Sequence, residues 1–173
     1  MTGVQTCALP ILMNNYWGTN FAPGQGGEFT FHYSIVSGRD FDSAELTRAG
    51  WESMTPLESD SVSASLQPGT LPSDQASLIS VDNPDVAVVT WKIAEDGRGS
   101  ILRLEELAGK ISKVRVGSQY FQVREAWLCS GLEDDEAYLN TSDGASNGAV
   151  EIEIKPFEVI TLRLITQSRL VQR

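Results

Sequence analysis

The sequence predicts a mostly β protein, built around an antiparallel β-sandwich of about seven strands and carrying one short helix. Three observations support this. Segments with period-two alternation recur from Ser77 onward, turns bearing Gly or Asp separate them, and no helical period appears in that half of the chain.

Each element has a local reason. EFTFHYSIV, Glu28 to Val36, puts Phe29, Phe31, Tyr33 and Ile35 on one face and Thr30, His32 and Ser34 on the other, as a half-buried antiparallel strand would. The preceding APGQGG offers positive φ at Gly26 and Gly27. FDSAELTRAGWESM reads as a short helix, with Asp42 or Ser43 as cap, Glu45 in the first turn and Gly50 able to end it. The Ser-rich stretch SDSVSASLQPGTLPSDQAS has no period and reads as a linker or long surface loop. Strands follow at SLISVD, VAVVTWKI, ILRLEEL, KVRV, FQVREAWLC, VEIEIK and EVITLRLI. EDGRG is a turn, and LEDDEAYLNTSDGASNG is an acidic loop.

Composition narrows function by exclusion. The 173 residues are 41% hydrophobic, enough for one domain, or one domain and part of another. A net charge of −10 opposes binding to nucleic acid or to an anionic membrane. No stretch approaches the roughly 20 apolar residues that span a bilayer.

The motifs that carry chemistry are sparse. Glu151 and Glu153 alternate with Val150, Ile152 and Ile154, so they read as a solvent face. Glu133, Asp134, Asp135 and Glu136 read as a solvated charge run. His32, the single histidine, sits on the polar side of its strand, and Cys129 reads as a small buried hydrophobe. Together they fall short of a zinc set. No GxSxG, P-loop or GxGxxG occurs. NNYWGTNFAPGQGGEFTFHY is dense in Asn, Gln, Gly and aromatics. It is either a kit for holding sugar hydroxyls, with Trp17, Asn20 and Gln25 as substrate-binding candidates, or a set of core aromatics whose Asn residues satisfy turns.

Several stretches carry a family resemblance. MNNYWGTNFAPGQGGEFTFHYSIVSG, LTRAGWESMTPLE, DNPDVAVVTWKIAEDGRGSILRLEE, the AWLC strand and IKPFEVITLRL occur in an order that resembles the later β-region of glycoside hydrolase family 38 α-mannosidases. The lead, Met1 to Ile11, instead resembles a translated sequencing adapter and is expected to be non-native. The resemblance implies closing strands of a larger β-sandwich with the short helix over 12–57, a linker over 58–76, a small C-terminal sandwich over 77–166 and a tail over 167–173.

It further implies a parent enzyme that hydrolyses terminal α-D-mannosides with an aspartate nucleophile, a second acid and a bound zinc, all in an N-terminal domain. No residue here aligns with that nucleophile, acid or zinc set. The expectation is therefore a non-catalytic fragment with no catalytic residue, no metal and no cofactor of its own, packing on the missing N-terminal domains. It would meet mannosides or oligosaccharides only through the full enzyme. The alternative is a stand-alone carbohydrate-binding module. A lone credible cysteine and a bacterial-looking family variant suggest a cytoplasmic setting.

Overall fold

A computed structural model describes Gly24 and residues 26–55, 57–61, 74–141 and 148–169. The chain divides into two compact units, Met1–Ile35 and Val36–Arg173.

In the first unit the described residues carry neither helix nor strand, and Gly27 takes the expected positive φ of 127°. Here the structure differs from the sequence reading: Glu28–Val36 enters no β-ladder, and Phe29, Phe31, Tyr33 and Ile35 are exposed. Alternation gives a segment one apolar face, but a strand forms only against a neighbour that takes up its hydrogen bonds. None of the described residues provides that neighbour. The rest of the expected closing strands, before Gly24, lies outside the described residues.

The second unit opens with α1, Ser43–Met54. Asp42 caps it, its carboxylate accepting from the Ala44 and Glu45 amides at 2.9 and 3.0 Å. The helix runs through Gly50, since an interior glycine weakens a helix without ending one, and stops at a Thr55 cap. Ala44 packs with Ala87 and Leu107 of the sandwich. Arg48 Nη2 donates to the Pro84 and Val86 carbonyls, the latter at 3.0 Å.

Eight strands follow: β1 Ser80–Val81, β2 Val86–Ile93, β3 Ser100–Glu106, β4 Ser112–Gly117, β5 Phe121–Cys129, β6 Asp135–Leu139, β7 Val150–Ile154 and β8 Val159–Ser168. Each ladder is antiparallel. One sheet is ordered β1-β4-β7 and the other β2-β3-β8-β5-β6. The extra strand relative to the reading of seven is β6, which lies inside the supposed acidic loop. It is an edge strand with almost every residue exposed, so it has no alternation to detect.

Between the sheets, Leu102, Leu104, Leu162 and Leu164 from one side meet Val114, Val116, Val150 and Ile154 from the other. Several of these side chains are wholly buried, and each such burial contributes about 1.5–3 kcal/mol. At the β2–β3 turn Gly99 has φ 75°. A Cβ there would lie 2.5 Å from Leu164 O, so only glycine lets the turn reach β8.

Candidate functional site

Trp17, Asn20 and Gln25, the residues proposed for sugar, lie outside the described residues. His32 is exposed within the unpaired segment. Glu151 and Glu153 are exposed on β7 as expected, opposite Arg115 and Lys113 of β4.

The charged residues that the structure does gather lie on the outer face of the five-stranded sheet. Strand register aligns Lys92, Ile101, Arg163, Trp127 and Tyr138 in one row across β2, β3, β8, β5 and β6. Arg163 is only 3% exposed despite its outward position. Its Nε donates to Asp135 Oδ1 at 2.8 Å, Nη1 to Asp96 Oδ1 and Arg98 O at 2.8 Å, and Nη2 to Glu133 O at 2.6 Å. Arg98 adds an ion pair with the other oxygen of Asp135. One guanidinium thus ties β8 to the β2–β3 turn and to the β5–β6 connection.

The acidic run is therefore not simply solvated. Glu133 is buried and takes φ 72°, a left-handed conformation that costs a non-glycine residue about 1 kcal/mol. Its carboxylate pairs with Lys92 at 2.7 Å and accepts from the Glu95 amide at 2.9 Å. A buried guanidinium needs several acceptors close by, and this run supplies them. The sequence signal was Arg163 itself, a charge set inside the apolar run VITLRLI.

A second buried carboxylate closes the other end of β3. Glu106 lies on the inward face set by Leu102 and Leu104 and is fully buried. It accepts from the amides of Ala108 at 3.1 Å, Gly109 at 2.8 Å and Phe157 at 3.0 Å, and from the Ser112 hydroxyl at 3.2 Å. Burial, the largest influence, pushes its carboxyl pKa up, yet the amides of Phe157, Gly109 and Ala108 and the Ser112 hydroxyl together hold it below the ordinary range. The alternation in ILRLEE already placed residue 106 inward.

These carboxyls are held as anions. The Arg98 amide, then the Arg163 guanidinium, lowers the pKa of Asp96. The Glu95 amide, then Lys92, lowers that of Glu133. A glycosidase needs one carboxyl raised so that it can donate a proton, and Asp96, Glu106 and Glu133 are all shifted the opposite way. What these groups accomplish is the fixing of turns.

The zinc implied by the resemblance does not fit the residues described. Among them no three His, Cys, Asp or Glu side chains converge. The Cys129 thiol is buried against Asp135 Oδ1 at 3.4 Å, and burial raises its pKa, disfavouring the thiolate that a metal would bind.

The fold and its clamps define a class: a two-sheet antiparallel β-sandwich domain whose buried charges secure its connections. Within it, residues 85–162, from just ahead of β2 into β8, match the family model of the glycosyl hydrolases family 38 C-terminal beta sandwich domain. The matched stretch takes in strands β2 to β7 and the start of β8. No curated protein matches the chain.

Proposed function

We propose that the chain serves as the C-terminal, non-catalytic β-domain of an enzyme that hydrolyses terminal α-D-mannosyl residues, in mannose or oligosaccharide metabolism. In this reading the sandwich buttresses an N-terminal catalytic domain that holds the nucleophile, the acid and the zinc. One observation carries it: residues 85–162 match the glycosyl hydrolases family 38 C-terminal beta sandwich domain, and the turn amides that donate to Asp96, Glu106 and Glu133 agree with a scaffolding role. The exposed aromatic face of Phe29, Phe31 and Tyr33 agrees with a segment that packs on another domain. The free, buried Cys129 accords with a reducing, cytoplasmic setting.

The purified chain, incubated with 4-nitrophenyl α-D-mannopyranoside, is expected to release no nitrophenolate, and unaided turnover would overturn the reading. If Trp17 or Asn20 holds sugar in the parent enzyme, substituting either raises KM there; unchanged kinetics in a folded variant leave those residues a packing role. The second reading, a stand-alone carbohydrate-binding module, would reveal itself as mannose binding without turnover.

A further inference from the structure

The seat of α1 on the sandwich is narrow. Of its twelve residues only Ala44 is buried, while Leu46, Trp51 and Met54 are 40, 42 and 76% exposed. Polar links sit at its start and middle. The Ser43 hydroxyl donates to Leu107 O at 3.2 Å, and Arg48 Nη2 donates to the Pro84 and Val86 carbonyls. From Arg48 onward the helix borders open space: Trp51 and Glu52 line a groove of about 430 Å³ together with Ile79, Val81 and Val88 of the sandwich. Apolar side chains that face a gap forgo the close contacts that hold a packed helix in place.

The helix also carries its own weak point. Gly50 lies in its interior, and a Cβ there would meet no neighbour. Packing therefore does not require the glycine, which lowers helix stability relative to alanine. A helix of twelve residues is marginal in water by itself, so α1 keeps its form only while docked. Leaving the sandwich and melting are then a single step. The core has little at stake in that step. Leu102, Leu104, Leu162 and Leu164 are wholly buried, and the cluster they form between the sheets draws on no α1 residue among those described.

We propose that α1 is a releasable cover on the border of β2. It detaches and unfolds as a unit while both sheets stay folded, and its departure gives up the Pro84 and Val86 carbonyls that Arg48 occupies. Elements with little buried apolar surface open locally, at a lower free energy than global unfolding. The device rests on the seat of the helix alone and holds whatever the parent enzyme cleaves.

The test is native-state hydrogen exchange on the ¹⁵N-labelled full chain, followed at low urea concentrations. The amides of Thr47 to Trp51 are expected to share one level of protection, at least about tenfold below that of Leu104 and Leu162, with a weaker dependence on urea. Gly50→Ala is expected to slow exchange in α1 about fivefold. Arg48→Met, which keeps an unbranched stem and removes the donor, is expected to speed it about tenfold. Neither substitution should move the Leu104 and Leu162 amides. The proposal is overturned if the α1 amides show no protection, if they follow the urea dependence of the core strands, or if their protection falls away residue by residue from the Met54 end. It is equally overturned if Gly50→Ala leaves α1 exchange unchanged, or if Arg48→Met alters the core amides as much as those of α1.

Discussion

The Phe157 amide donates to Glu106 Oε2 at 3.0 Å, so a single buried carboxylate holds the β7–β8 turn against the end of β3. The same oxygen accepts from Gly109, which puts the β3–β4 turn under the same anchor. Glu106→Ala would orphan these donors at once. It is expected to cost about 3 kcal/mol, read as a lower urea midpoint at an unchanged m-value. A loss below about 0.5 kcal/mol would mean that water satisfies those amides equally well.

Arg163→Met tests the outer clamp. The methionine fills much of the volume but leaves Asp96 Oδ1, Asp135 Oδ1 and the Glu133 carbonyl without the guanidinium that donates to them. Removing one member of a buried charged network is expected to destabilise by about 3 kcal/mol. Hydrogen exchange should rise first in the Ala94–Gly99 and Ser130–Asp134 turns. Protection that stays uniform across both turns would contradict the clamp.

Stability should fall on the acid side. Asp96, Glu106 and Glu133 have folded pKa values below their unfolded ones, so the native state binds fewer protons than the unfolded chain. Their contribution is complete above the ordinary carboxylate range, near 4. It is lost as pH drops through that range to the depressed folded values. Urea midpoints should therefore decline below about pH 4.5, less steeply in Glu106→Gln. Lys92, raised by Glu133 and then Glu95, and Arg163, which burial lowers but Asp96 and Cys129 together raise, lose their contributions only in strong alkali.

Gly99→Ala would set a Cβ 2.5 Å from Leu164 O on a residue with φ 75°. An expected loss of about 2 kcal/mol in thermal or urea unfolding follows from the clash and the left-handed backbone. Gly97→Ala, whose Cβ would meet nothing despite φ 73°, should cost less. Equal losses would reduce the effect to backbone conformation alone.

Cys129 should resist thiol reagents in the native state. Its side chain is buried and desolvation raises its pKa, so the thiolate is scarce at pH 8. Labelling at Cys129, read by peptide mass mapping that separates it from Cys7, is expected to be slow in buffer and immediate in denaturant. Rapid native labelling at Cys129 would show that β5 opens at its end.

Much of the sandwich was legible because its strands are half buried. Alternation in ILRLEE and KVRV mirrors a core on one side and solvent on the other. Elements lacking that asymmetry escaped. β6 is wet on almost every residue, and α1 passed its glycine because the sandwich holds it from outside. Glu28–Val36 had the pattern without a partner, and period alone cannot supply one. The clamps were half visible, since a charge at an inward or apolar position announces a demand for partners. Which turn would answer it depends on topology that no local window contains.

The attachment of α1 also has a consequence for how the molecule behaves in company. β2 is an edge strand, and such a border invites unwanted pairing with another polypeptide. By engaging the carbonyls of Pro84 and Val86, Arg48 takes away acceptors that an intruding chain would need to start zipping along that border. The helix therefore guards against fibrous self-association as well as adding to the core, and a concentrated solution lacking that guanidinium would be the first place to look for turbidity.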